Sequence, residues 1–209
     1  LAGLFTVNAG HGRSEIAAAA AAQAGDLGYF PIWSNAHPRA IELAARLASL
    51  APDNLNRVFF TSGGSEAVDT AWKLARNYHR AVGQPLRTKI IARNYAYHGT
   101  TMGALAITGI PEIRTQFEPL VPGAFHAQPA YPFRCAFCSG TCSLQCADDI
   151  ERIVLAEGPD TIAAVIVEPV QNTGGSLVPP EGYMRRVREI CDTHGILLIS
   201  DEVICAFGR

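Results

Sequence analysis

The sequence predicts an α/β fold, a mostly parallel sheet with helices on both faces, and three observations carry that expectation. Apolar runs of strand length recur at residues 57–61, 89–92, 161–167 and 196–199, and helical patterning lies between each run and the next. The third run, Thr161-Ile162-Ala163-Ala164-Val165-Ile166-Val167, lacks polar alternation, as a strand covered on both faces must. Each run also gives way to glycine, hydroxyl, imidazole or carboxylate residues. In an open α/β sheet ligands sit beyond the carboxyl ends of the strands, so these residues share one crevice.

Bulk composition narrows the function classes. With 209 residues and 48% apolar content, the chain can bury the core of one large domain or a piece of one. Charged residues make up 17% and the net charge is -2, so no polybasic footprint marks a nucleic acid or an anionic membrane as partner. The longest apolar runs fall far short of a membrane span. The alanines of residues 17–22 lack a cationic flank and read as helix, not as a leader. A cytoplasmic protein is expected. The chain opens without methionine and in mid-pattern, so a fragment is expected.

In chain order, residues 1–8 read as apolar strand or coil, and Gly10-His11-Gly12 lacks the last glycine of a dinucleotide fingerprint. Ser14-Glu15 opens an alanine-rich helix that Gly25 is expected to end. Tyr29-Phe30-Pro31-Ile32-Trp33 is an aromatic loop, suited equally to packing or to a pocket wall. Pro38 starts a second helix with Ile41, Leu43, Ala44, Leu47 and Leu50 at helical spacing, and Ala51-Pro52-Asp53 stops it. A buried strand is expected at 57–61, running into Ser62-Gly63-Gly64-Ser65-Glu66 and a helix whose inner face is Ala67, Ala71, Leu74, Ala75 and Tyr78. Strand, glycine turn and helix N-terminus together make an anion seat, because the first helical N–H groups are unpaired and the dipole favours phosphate. The same sequence also suits an ordinary capped turn.

The strand at 89–92 ends in Arg93-Asn94-Tyr95-Ala96-Tyr97-His98-Gly99, where a ring can stack on a flat heterocycle. Residues 103–123 read as helix, then loop. Cys135, Cys138, Cys142 and Cys146 follow as C-x₂-C-x₃-C-x₃-C, a spacing that matches neither zinc ribbons nor the ferredoxin run. A loop of reduced thiols is expected there, with no metal. A helix over 148–157 precedes the buried strand, at whose end stand Glu168-Pro169. Another helix over 183–194 buries Met184, Val187, Ile190 and Cys191, and the last strand ends in Asp201-Glu202-Val203.

An Asp at such a strand end suits either Mg²⁺ in a nucleotide hydrolase or the ring nitrogen of pyridoxal phosphate. The first needs G-x-x-x-x-G-K-[ST], and the only two lysines are Lys73 after Trp72 and Lys89 after Thr88. The cofactor reading survives.

Taken together, Gly64-Ser65-Glu66-Ala67, Tyr97-His98-Gly99, Glu168-Pro169-Val170-Gln171 and Asp201-Glu202-Val203-Ile204 make the chain similar to the class III aminotransferases, nearest in pattern to the amine:pyruvate and ω-amino acid members. The resemblance implies the large domain of a fold type I transferase: a three-layer α/β/α fold, here incomplete, with residues 1–50 leading into it and 51–209 forming its front part. It implies that Gly64 and Ser65 hold the cofactor phosphate, Tyr97 and Val203 pack the two ring faces, and Asp201 bonds the ring nitrogen. His98 and Glu168 would orient groups around the site, while Phe5 and Trp33 would wall the substrate pocket, Trp33 from a neighbouring subunit. The Schiff-base lysine is expected beyond Arg209, so no catalytic residue is assigned within the chain. Amine and keto acid substrates and a homodimer are also implied. An inert cofactor-binding fragment and a class III aminomutase or racemase remain alternatives. Relatives that use 2-oxoglutarate with ornithine or 4-aminobutyrate carry a second Glu in E-P-x-Q-x-E. Thr173 stands there in this chain, which points to pyruvate as acceptor.

Overall fold

A computed structural model describes residues 3–31, 34–52, 54–138 and 142–208. The chain packs as two compact units, Leu1–Phe60 and Thr61–Arg209.

The first unit carries α1 (Ser14–Leu27) and α2 (Pro38–Leu50). α1 runs through Gly25 to a cap at Gly28, because an isolated glycine costs a helix only about 1 kcal/mol. α2 begins with Pro38 in its first turn, where a missing N–H costs nothing, and His37 Nδ1 accepts from the Arg39 N–H at 3.2 Å. Residues 57–60 form no strand, and Phe59 is exposed. Their apolar composition suits a sheet, but a strand exists only with a ladder neighbour, and none pairs with them among the described residues.

The second unit holds a parallel sheet of β1 (Lys89–Arg93), β2 (Ala124–Ala127), β3 (Ile162–Val167) and β4 (Leu197–Ser200), in the order β2-β1-β3-β4. Side chains alternate across its two faces. Ile90, Ala92, Ala164 and Ile166 pack one way, against Val68, Trp72 and Ala75 of α3 (Gly64–Ala81) and Ala104 and Ile107 of α4 (Met102–Ile107). Ile91, Val165 and Val167 pack the other way, with Ile150 and Val154 of α6 (Gln145–Glu157) and Val187 and Ile190 of α7 (Tyr183–His194). A short α5 (Pro111–Arg114) lies between α4 and β2. Every residue of β3 is buried, whereas β4 is only partly covered.

Three further features differ from what the sequence leads one to expect. β2 lies just past the 103–123 segment, where no element was assigned, since Ala-Phe-His-Ala is too short to stand out as a strand. The inner face of α3 is Val68, Trp72, Ala75 and His79, while Leu74 and Tyr78 are exposed. The alanines suggested a stripe about one position away, roughly 100° round the helix. His79 is buried because both ring nitrogens are satisfied: Nε2 lies 2.9 Å from the Ala163 carbonyl and Nδ1 3.2 Å from Gln84 Oε1. Finally, α6 starts at Gln145 instead of 148, which places Cys146 in its buried first turn. No helix among the described residues is long and apolar enough to cross a membrane.

Candidate functional site

All four strands of the parallel sheet end at one edge, and the start of α3 lines the same cavity. A cavity of about 210 Å³ opens there, lined by Gly64, Ser65, Val68, Tyr97, His98, Gly99, Glu168, Asp201, Val203 and Ile204. Gly63 caps α3 in extended conformation without a side-chain bond, so the first N–H groups of an 18-residue helix face the opening. The loop after β1 lies close against this turn: the Thr100 N–H donates to Ser65 Oγ at 3.0 Å. Gly99 makes the approach possible, with φ +122; a β-carbon there would fall 2.8 Å from Ser65 Cα.

At the end of β4, the Asp201 N–H donates to the Val167 carbonyl at 2.8 Å and extends the ladder one step. The carboxylate is therefore fixed by backbone. Its Oδ2 accepts from His98 Nδ1 at 2.8 Å and its Oδ1 from the Val203 N–H at 3.2 Å. The side chains of His98 and Asp201 are 0% and 8% exposed, so this pair works in a weakly screened setting. His98 itself is held by Thr108, whose Oγ accepts from the His98 N–H at 2.9 Å. Its Nε2 is buried with no hydrogen-bond partner among the described residues.

Glu168 directly follows β3 and is buried. Its Oε1 accepts from the Tyr97 N–H at 3.2 Å, while its carbonyl accepts from Arg93, a fully buried guanidinium. Burial raises the Glu168 pKa above the usual carboxylate range, against the pull of His98, the Tyr97 N–H and Arg93.

The seven residues assigned to a cofactor (Gly64, Ser65, Tyr97, His98, Glu168, Asp201 and Val203) thus line one cavity. Phe5 belongs to the first unit, in a turn, and Trp33 lies outside the described residues. Val68, Gly99 and Ile204 also line the cavity and were given no role; Gly99 and Ile204 belong to recognised motifs and Val68 adjoins one, which was the available signal. Lys73 is exposed on α3. Lys89 starts β1, at the opposite edge, where Nζ is 2.8 Å from Glu157 Oε2. The six cysteines are free, and among the described residues no group of three or more His, Cys, Asp or Glu is arranged to hold a metal ion.

A phosphorylated pyridine needs an anion seat, walls for two ring faces and a carboxylate for the ring nitrogen. The α3 turn, Tyr97 with Val203, and Asp201 are of those three kinds.

Comparison with known proteins points the same way. The family description "Aminotransferase class-III" matches residues 1–209. The chain is 57% identical to a probable aminotransferase of Mycobacterium tuberculosis over 100% of its own length and 45% of that protein's. It is 45% identical to a β-alanine–pyruvate aminotransferase of Pseudomonas aeruginosa, covering 100% of this chain and 47% of that one. Among solved structures, an amine transaminase from an uncultivated Pseudomonas species in its pyridoxal-phosphate-bound form aligns with a TM-score of 0.91 at 40% identity, over 96% of this chain and 46% of that one. The chain spans about half the length of the curated relatives it matches. With this fold, this cavity and a match along its whole length, the chain belongs to the class III aminotransferases, pyridoxal-phosphate-dependent proteins of fold type I.

Proposed function

We propose that the complete protein moves an amino group from an amine or ω-amino acid to a keto acid, with pyruvate as the acceptor. When bound, pyridoxal phosphate carries the nitrogen between substrates, and its protonated ring draws off the electrons left behind by a departing substrate proton. The observation that supports this most is Asp201: a carboxylate fixed by the β4 ladder, braced by His98 and nearly buried in the cavity wall. Each of its engaged oxygens keeps a second lone pair, so it can accept one more proton donor, and its charge holds a proton on the ring nitrogen.

The neighbouring residues take complementary parts in this reading. The α3 N–H groups at Gly64 and Ser65 would hold the phosphate, and Tyr97 and Val203 would pack against the ring. His98, its Nδ1–H pointed at Asp201, keeps that carboxylate aimed. Buried Glu168 holds the Tyr97 backbone and so sets the height of the stacking ring. Phe5 and Trp33 would shape the substrate pocket.

The choice of pyruvate rests on Thr173. It is exposed in a turn closed by the Gln171–Leu177 bridge and anchored by Gln171 Nε2, which donates to the Asn94 carbonyl at 3.0 Å. A hydroxyl there cannot offer a substrate-binding arginine the charged, two-pronged partner that a glutamate can. The decisive assay compares kcat/KM for pyruvate and 2-oxoglutarate with one amine donor. Preference for pyruvate is expected. Preference for 2-oxoglutarate would refute the acceptor assignment, and transfer to neither would refute amino transfer itself.

A further inference from the structure

The loop that carries Tyr97, His98 and Gly99 to the cavity leaves β1 and runs into α4, and the two residues just past α4 hold it. Gly109 clamps its start through backbone alone: the Tyr95 N–H donates to the Gly109 carbonyl and the Gly109 N–H to the Ala96 carbonyl, each at 2.8 Å. A β-carbon on Gly109 would strike the Arg93 carbonyl, so the approach needs glycine. Thr108 takes over where that pairing stops. It is fully buried, and its hydroxyl accepts from the His98 N–H at 2.9 Å and donates to the Gly99 carbonyl at 3.0 Å. A hydroxyl has one proton and two lone pairs, so it makes both bonds at once.

The two residues that Thr108 holds serve different parts of the cavity. His98 Nδ1 braces Asp201 at 2.8 Å. Gly99 lies against Ser65 at the start of α3, and the next residue, Thr100, donates its N–H to Ser65 Oγ at 3.0 Å. We propose that Thr108 is a positioning residue for the cofactor, its one hydroxyl setting both the carboxylate assigned to the ring nitrogen and the turn assigned to the phosphate. The proposal rests on those two assignments. Thr108 is not part of the cavity wall and acts only through the loop. Removing its hydroxyl takes a partner from the His98 N–H and from the Gly99 carbonyl, both in buried surroundings, and the loop escapes that cost only by moving. His98 then turns from Asp201, and Gly99 lifts from Ser65.

The test uses the complete protein stripped of cofactor and titrated with pyridoxal phosphate and with pyridoxal, which keeps the ring and lacks the phosphate. Thr108→Val keeps the side-chain shape and removes the hydroxyl, whereas Thr108→Ser keeps the hydroxyl. At a temperature where circular dichroism shows every variant folded, Thr108→Val should bind pyridoxal phosphate about tenfold and pyridoxal about threefold more weakly. Thr108→Ser should stay within about twofold of the parent for both. A threonine that only stabilises the fold leaves both affinities unchanged in folded protein, and that result would overturn the proposal, as would a loss confined to pyridoxal phosphate or an equal loss in Thr108→Ser. If Thr108→Val does not fold, Thr108→Ala removes the same hydroxyl without adding a methyl and carries the same expectation. Asp201→Asn in the same titrations separates the proposal from the reading beneath it. An unchanged pyridoxal affinity there refutes the role of Asp201 and the proposal with it; a loss there beside an unaffected Thr108→Val refutes the positioning role alone.

Discussion

That Asp201 and Glu168 line one cavity was legible because each follows a recognisable apolar run, and an α/β sheet turns such ends toward its ligand crevice. The bond between His98 and Asp201 was not, since the two are 103 positions apart and only the parallel register of β1, β3 and β4 brings them together. Nor was the protonation behaviour of Glu168, which follows from burial. Its raised pKa means that the folded state holds its proton more tightly than the unfolded chain does. The resulting stabilisation is fully present below the ordinary carboxylate pKa and is lost as pH rises through the raised one. A Glu168→Gln variant, which keeps an acceptor for the Tyr97 N–H, should therefore gain stability relative to the parent as pH increases through that window. Melting temperatures of the two across pH check this, and a difference that stays flat contradicts it.

At the scale of elements, long and strongly patterned segments were read well. β3 is fully apolar and α7 begins and ends as expected, with Gly195 in left-handed conformation as its cap. Failures came where local composition and tertiary demand diverge. Residues 57–61 look like a strand but have no ladder neighbour among the described residues, and the four residues of β2 depend on β1 for their pairing. The contact between the loop after β1 and the start of α3 also depends on one residue, Gly99. Gly99→Ala adds a β-carbon 2.8 Å from Ser65 Cα in a backbone region hostile to side chains, so the α3 turn must shift. We expect a loss of about 1–3 kcal/mol in stability and at least roughly tenfold weaker cofactor binding, equivalent to about 1.4 kcal/mol. Urea unfolding and a pyridoxal phosphate titration measure the two, and unchanged affinity would show that this approach does not set the anion seat.

Across the whole molecule, the parallel sheet gathers one cavity at its carboxyl edge and leaves both lysines elsewhere, Lys73 on an exposed helix face and Lys89 tied to Glu157. Borohydride reduction of the complete, cofactor-loaded protein followed by peptide mapping should find the cofactor on a lysine other than these two. Label on Lys73 or Lys89 would contradict the placement of the site. The central claim, that Asp201 is the carboxylate serving the cofactor ring, is tested most directly by single-turnover kinetics of the amine half-reaction in Asp201→Asn, with cofactor occupancy measured in parallel. Losing one such preorganised electrostatic partner costs on the order of 10²–10³ in rate, so that fall with the fold retained is the predicted result. A rate near that of the unaltered protein at equal occupancy would mean that another group holds the ring proton.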